Sequence, residues 1–162
     1  MPVTRLRTQW RSGYLAWYNS DGSALGLFGV PLWGIQFYKR LRVLTTDVNT
    51  GKELLPAIPN FCYQMVSMAE ISYGGAAATC TTVDIKGTQG ASSVKLMAGG
   101  QAALTQSALV VAGVTSGGTI LADGASFMVC DVNTAINVGA TTNNLATSTG
   151  IDFLVEFVLI AG

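Results

Sequence analysis

Histidine is absent from this chain of 162 residues, and charged residues make up only 11% of it. Histidine is the commonest general base, proton shuttle and metal ligand in proteins. Its absence excludes Ser-His-Asp and Cys-His catalytic arrangements and every metal site built on imidazole. Glycine-rich phosphate-binding motifs and the nucleophile-elbow motif do not occur either. We therefore expect a protein that is not an enzyme and that uses neither a metal nor a cofactor.

Two sequence patterns that also occur in catalytic sites remain, and each has a simpler interpretation. The Ser-x-x-Lys spacing at Ser92–Lys95 lies in a strand-like setting without an accompanying Lys-Thr-Gly. Carboxylate pairs, the arrangement that glycosidases use, occur as Asp123 with Asp131 and as Asp152 with Glu156. Turn capping accounts for the first pair and solubilisation of a strand edge for the second. We therefore assign no catalytic residue.

Cysteine is scarce, and Cys62, Cys80 and Cys130 form no CxxC pair. An odd number with neither metal-ligand nor disulfide spacing predicts buried free thiols in a reducing compartment. We expect no signal peptide, because polar residues follow Arg5 and Arg7 where an apolar segment is required. Small and polar residues also interrupt the longest apolar stretch, so we expect no membrane contact.

Charge is balanced overall but distributed unevenly. Residues 1–53 carry seven basic and three acidic groups, whereas residues 54–162 carry two basic and six acidic groups. The zero net charge argues against nucleic acid as a partner. A chain that is 49% hydrophobic and has no net charge tends to associate, and opposite charge patches set the register of such contacts. We therefore expect a homo-oligomer, with a trimer as one option, or a subunit of a larger assembly.

The N-terminal region predicts a hairpin followed by an irregular, apolar arm. Residues 4–11 alternate with the period of a half-buried strand, and residues 13–18 form a second strand before an Asp-Gly turn. The arginines of the first strand form either a solvated face or a docking stripe for an acidic partner. Residues 23–34 combine glycines with large apolar groups, which cover either the domain's own core or a neighbouring subunit. The predicted contact residues are Arg5, Arg7, Trp10, Arg11, Phe28, Leu32, Trp33, Lys39, Arg40 and Arg42.

Short β-prone segments separated by Gly-rich turns predict an all-β sandwich or jelly-roll-like domain with an N-terminal hairpin and arm. We place the arm at residues 1–60 and the sandwich at residues 61–162, because Pro56 and Pro59 bracket a linker. The predicted strands are 35–43, 61–73, 80–86, 93–97, 109–114, 126–132, 135–138 and 151–160. Turns are expected at 87–90, 98–100 and 116–118, and the best helix candidate is 101–111.

Two of these strands have a clear face pattern. The strand 61–73 is expected to place on one face Phe61, Tyr63, Met65, Ala69, Ile71 and Tyr73. The last strand places on one face Ile151, Phe153, Val155, Phe157 and Leu159. It is expected to be a central strand that fixes the end of the chain in the core.

Three segments of the second half carry a resemblance to a known group of proteins: TTVDIKGTQ at 81–89, ILADGASF at 120–127 and GIDFLVEFVL at 150–159. With them the chain resembles virion structural proteins of tailed bacteriophages. The resemblance implies a head cement or decoration subunit that binds the major capsid protein and stabilises the head. It further implies a location on the capsid surface, after assembly in the cytoplasm of the bacterial host.

Other functions stay open at this point. A receptor- or glycan-binding β-sandwich of a phage tail or fibre would share the same composition, as would a connector, a tail-tube subunit or another minor virion component. An enzyme that acts with carboxylates alone would need two acidic side chains in one pocket, one of them with a raised pKa.

Replacing Trp33 tests whether the apolar arm is a contact element. We expect Trp33→Ala to lower the occupancy of the protein on purified heads while the free protein stays folded, because an interface aromatic contributes to binding and not to the core. Occupancy is measured by imaging, and folding by thermal unfolding. Loss of folding in the isolated variant would place Trp33 in the domain core instead.

Overall fold

The computed structural model describes residues 36–111 and 128–162 in full and, before them, the backbone of two short strands. The chain divides into two units, residues 1–35 and residues 36–162. In the first unit, β1 (Arg7–Arg11) pairs antiparallel with β2 (Tyr14–Tyr18). The predicted N-terminal hairpin is therefore confirmed.

The second unit consists of two antiparallel four-stranded sheets and short connecting elements. Sheet 1 has the order β3-β10-β5-β8, and sheet 2 has the order β4-β9-β6-β7. The strands are β3 (Gln36–Leu44), β4 (Glu53–Leu55), β5 (Phe61–Tyr73), β6 (Thr82–Gln89), β7 (Ser92–Gly100), β8 (Val110–Val111), β9 (Ile136–Thr141) and β10 (Gly150–Ala161). A short helix, α1 (Thr45–Thr50), and a 3₁₀ turn, Gln101–Ala103, complete the regular structure of these residues.

The strand order identifies the sandwich as a jelly roll. When its eight strands are counted from one to eight along the chain, sheet 1 reads 1-8-3-6 and sheet 2 reads 2-7-4-5. Each connection except the hairpin between β6 and β7 crosses from one sheet to the other. Two interleaved Greek keys of this kind define the jelly-roll arrangement. The all-β sandwich predicted from the sequence is confirmed.

The start of the sandwich differs from the boundary that we drew at residue 60. Strand β3 pairs with β10, and β4 pairs with β9, so residues 36–55 belong to the two sheets. Pro56 and Pro59 lie in a connection between two strands of the sandwich and do not separate an arm from it. A proline pair marks a break in pairing, which occurs inside domains as well as between them.

Strand β10 is the central strand of sheet 1. It pairs with β3 from Gly150 to Val158 and with β5 from Gly150 to Ala161. Its alternate residues Ile151, Phe153, Val155 and Phe157 are buried in the core between the sheets. Both the predicted face and the central position of this strand are confirmed.

The face pattern predicted for strand 61–73 is wrong in its second half. Tyr63 and Met65 are buried, but beyond them the buried residues are Met68, Glu70 and Ser72. The register between β5 and β10 shifts at Glu156/Phe157, where a β-bulge inserts one extra residue into β5. A single inserted residue moves all later side chains to the opposite face. Ala69, Ile71 and Tyr73 consequently lie on the outer face of sheet 1.

Four further local predictions are wrong. The turn predicted at 87–90 lies at residues 90–91, because β6 continues to Gln89. The segment 101–111 contains only a 3₁₀ turn and the two residues of β8, not a helix. Residues 128–132 form no strand, because the Asp131 carboxylate accepts hydrogen bonds from the backbone N–H groups of Gly90 and Ala91 and fixes the segment as a loop. Residues 98–100 continue β7 and do not form a turn.

Four loops at one end of the sandwich are joined to one another. Helix α1 lies in the first loop, and Asn49 exchanges two hydrogen bonds with the backbone of Leu145, at 3.0 and 2.7 Å. Ala78, in the loop between β5 and β6, forms an isolated β-bridge with Ala146, in the loop between β9 and β10. The Ala77 N–H group donates to the Leu104 carbonyl oxygen at 2.9 Å and so connects the fourth loop. These bonds hold the end of the sandwich as one unit.

Close contact between the sheets predicts that Gly99 tolerates no larger residue. A Cβ atom at Gly99 would lie 1.4 Å from Oε1 of Glu70, which reaches it from the opposite sheet. We expect Gly99→Ala to lower the free energy of unfolding by about 1–3 kcal/mol, as overpacked cores do. Urea unfolding measures the change. The double variant Gly99→Ala/Glu70→Ala should recover part of the loss, and full stability of the single variant would contradict the contact.

Candidate contact surface

Strand β3 places alternate side chains on the outer face of sheet 1. Gln36, Tyr38, Arg40, Arg42 and Leu44 are exposed, while the residues between them are partly or fully buried. This alternation follows from the two-residue period of a strand with one face on the core. Tyr38 is 75% exposed, which is high for a large aromatic side chain.

Strands β10 and β5 extend the same outer face. Residues opposite one another in antiparallel strands point to the same side, so Asp152, Leu154 and Glu156 lie beside Arg42, Arg40 and Tyr38, respectively. Ala69 and Ile71 of β5 follow on the far side of β10. We call this surface the sheet-1 face, defined by Tyr38, Arg40, Arg42, Leu44, Ala69, Ile71, Asp152, Leu154 and Glu156.

One ion pair on the sheet-1 face is bidentate. Nε and Nη2 of Arg42 donate to the two carboxylate oxygens of Asp152, each at 2.7 Å. The guanidinium also lies over the Tyr73 ring, 4.4 Å from its centroid. The hydrogen bond from Arg42 lowers the pKa of Asp152 below its ordinary value, although partial burial opposes this shift. Because the Arg42 side chain is 65% exposed, solvent screens the pair and it contributes little to stability.

Arg40 differs from Arg42 in having no ion pair among the residues that the structure describes in full. It lies at the side of an open depression of about 500 Å³. The walls of the depression are mainly apolar, with Ile71, Leu109 and Leu154, but Asp152 contributes a carboxylate. Leu109 is 63% exposed there. An unpaired cation next to exposed apolar side chains is typical of a surface that meets another molecule.

The three predicted contact residues that the structure describes in full have different positions. Arg40 and Arg42 lie on the sheet-1 face. Lys39 points to the other side of β3, where its Nζ atom donates to the backbone carbonyl of Leu54 at 3.0 Å and connects the edges of the two sheets. The other predicted contact residues have side chains outside the described part of the chain; they are Arg5, Arg7, Trp10, Arg11, Phe28, Leu32 and Trp33.

A polar cluster around Asp84 occupies the outer face of sheet 2. Its neighbours in the strand, Val83 and Ile85, are in the core, so Asp84 points away from it. The Lys95 ammonium lies 3.2 Å from Oδ1 of Asp84, and the Thr141 hydroxyl donates to Oδ2 at 2.5 Å. Asp84 is nonetheless fully buried. Lys86 also lies 3.9 Å from Oδ2, so two lysines offset the charge of this carboxylate, while its Oδ1 atom has no hydrogen-bond partner among the described residues.

Glu70 is the second buried carboxyl group, and it lies on the core face of β5. It is fully buried opposite Phe153 and against Gly99 of the other sheet. Neither carboxyl oxygen has a hydrogen-bond partner among the described residues. Desolvation, followed by the negative charge of Asp84, raises the pKa of Glu70 well above its ordinary value of 4.5. Burial therefore favours the neutral, protonated form of this carboxyl group over the charged form.

The buried thiols agree with the sequence prediction, since Cys62, Cys80 and Cys130 are all free and buried. Burial raises the pKa of Cys80 and raises that of Cys130 to about 11, which makes both poor nucleophiles. In the described residues, no group of three or more acidic or sulfur ligands is arranged to hold a metal ion. The same residues contain no helix long and apolar enough to cross a membrane.

The sequence patterns did not reveal several residues of this surface. Ile71 and Leu109 carried no motif, and alternation in the strand 61–73 places Ile71 on the wrong face because the bulge in β5 leaves no signature in a single sequence. Asp152 and Glu156 were expected to solubilise a strand edge, but they lie on β10, the strand that is paired on both sides within sheet 1. Glu70 carried a signal, since it is the one carboxylate within the apolar strand 61–73.

Comparison with known proteins adds no further assignment: no protein-family model, curated protein or solved structure matches this chain.

Titration of Glu70 predicts that stability falls as the pH rises. The unfolded chain ionises this group near pH 4.5, whereas the folded protein keeps it protonated to a much higher pH. The contribution of Glu70 is therefore fully present below about pH 4.5 and is lost as the pH rises to the folded pKa, at up to about 1.4 kcal/mol per pH unit. Urea unfolding across this range should show that slope in the wild type and its absence in Glu70→Gln.

Asp152→Asn provides the matched control for this experiment. The pKa of Asp152 is lowered by Arg42, so its stabilising effect is lost only as the pH falls through the folded pKa. The slope above pH 4.5 should therefore persist in Asp152→Asn. If Glu70→Gln retains the same slope as the wild type, Glu70 is not the responsible group.

Proposed function

We propose that this protein is a non-enzymatic structural subunit of a virion, a capsid cement or decoration protein that binds the major capsid protein and stabilises the head. Its strand order carries the proposal. Viral capsid proteins are among the proteins built on the double-sheet jelly roll, in which the two sheets form a rigid support for contact surfaces. The order 1-8-3-6 and 2-7-4-5 in residues 36–162 is that arrangement.

The sheet-1 face supports the same proposal. It combines exposed Tyr38 with the cation of Arg40, which has no ion pair among the described residues, on strands that are fixed by pairing on both sides of β10. Exposed Leu109 lies beside this face. A rigid surface of this kind loses little conformational entropy on binding. Repetition by the symmetry of a shell then turns many modest contacts into stable attachment.

The buried carboxyl groups support a structural role over a catalytic one. An enzyme that acts with carboxylates needs a group of raised pKa exposed in a pocket beside a second acid. Glu70 has the raised pKa but is sealed between the sheets, and the Asp84 charge is neutralised by lysine. Asp152 does line the open depression, but its pKa is lowered and Arg42 binds both of its oxygens.

Add-back of purified protein to heads that lack it tests the proposed function. We expect the wild type to bind in a fixed number of copies per head, visible by electron microscopy and by quantitative gel analysis of sedimented heads. Arg40→Glu should reduce occupancy at least tenfold at a limiting protein concentration, because a charge at a capsid contact is reversed.

Ser92→Glu is the matched control, since it adds a negative charge at an exposed position of β7 in sheet 2. It should bind like the wild type. Heads that acquire no wild-type protein above background, with the protein folded and present in excess, would contradict a cement or decoration role.

A further inference from the structure

We propose that the sheet-1 face binds a second copy of this chain, face to face, about a two-fold axis that runs parallel to the strands between β3 and β10. The proposal goes beyond the proposed function and is argued independently of it. The second copy covers the same face as the proposed capsid contact, so the dimer must dissociate before a subunit binds a head through that face. The proposal is carried by the arrangement of charge on the sheet-1 face and by the depression beside Arg40.

Charges on the sheet-1 face form two adjacent stripes of opposite sign. Arg40 and Arg42 lie on β3, and Asp152 and Glu156 lie next to them on β10. A two-fold axis parallel to the strands and between the stripes exchanges their positions, so each basic stripe meets the partner's acidic stripe. An axis in the same plane but perpendicular to the strands would oppose basic to basic. Charge therefore selects the first orientation, since like charges opposed at an interface are costly.

The same axis gives a partner to the guanidinium of Arg40, which has no ion pair among the described residues. Arg40 is opposite Leu154 within its own sheet, so the two-fold axis places it over Leu154 of the second copy. Leu154 lines the depression, together with Ile71, Leu109 and the carboxylate of Asp152. An arginine with an apolar stem and a charged tip fits such a depression, with its stem against the leucines and its guanidinium near Asp152. Each copy thus offers both the inserted residue and the receiving site.

The size of the face limits the strength of this contact. Only β3 and β10 are opposed across the axis, which gives a strip about 12 Å wide and about 30 Å long at the usual strand dimensions. This corresponds to about 400 Å² on each copy, below the roughly 800 Å² of a standard interface. We therefore expect a weak dimer that forms at high protein concentration and dissociates on dilution.

Sedimentation velocity of the full-length protein over a dilution series tests the proposal. The wild type should shift from dimer to monomer on dilution, and high salt should move the midpoint to higher concentration. Arg40→Glu and Glu156→Arg should each stay monomeric at concentrations where the wild type is dimeric. An equimolar mixture of the two variants should dimerise, because an acidic face then meets a basic one.

Ser92→Glu on β7 again provides the control and should dimerise like the wild type. Circular dichroism establishes that each variant is folded. A wild type that stays monomeric at every concentration, a dimer that Arg40→Glu leaves intact, or variants that fail to combine would each overturn the proposal. A protein that stays monomeric but binds heads would refute the dimer and support the proposed function. A protein that dimerises but does not bind heads would support the dimer and refute the proposed function.

Discussion

Pairing of β10 on both sides is the interaction on which the rest of the second unit depends. The strand comes last in the chain, yet it lies between β3, from the start of the unit, and β5. Its inward residues Ile151, Phe153 and Val155 form part of the core, and its outward residues form the middle of the sheet-1 face. Because its partners are more than seventy residues away in the sequence, sheet 1 closes only when the whole unit has been synthesised. The contact surface is therefore a product of complete folding and not of a local segment.

The two buried carboxyl groups show how the same sandwich treats polar residues on its two sides. Asp84 points away from the core, where the Lys95 ammonium lies 3.2 Å from it and the Thr141 hydroxyl donates to it. Glu70 points into the core, where no described residue bonds to it, and it is kept protonated by desolvation. The close approach of Gly99 to Glu70 leaves no space for a water molecule or for a larger residue between them. The difference arises from the side of the sheet that each residue faces, since both are carboxylic acids in buried positions.

Much of the fold was predictable because it rests on local periodicity and on turn chemistry. The N-terminal hairpin, the strand 61–73 and the inward face of the last strand all follow from alternation, and each is present in the structure. Predictions failed where distant residues decided the outcome. The bulge in β5 is set by its register with β10, and residues 128–132 are a loop because Asp131 bonds to Gly90 and Ala91. Of the predicted contact residues, Arg40 and Arg42 are exposed on the outer face of sheet 1, whereas Lys39 connects the edges of the two sheets through the Leu54 carbonyl.

The sequence by itself determined the class of fold, the buried free thiols and the basic strand that forms one half of the sheet-1 face. These follow from composition and from a two-residue period, which are properties of neighbouring positions. Tertiary structure alone decided the strand order, the raised pKa of Glu70 and the placement of an acidic stripe beside a basic one. Each of these requires contacts between residues that are distant in the sequence, because such contacts set the register of the strands and the burial of their side chains.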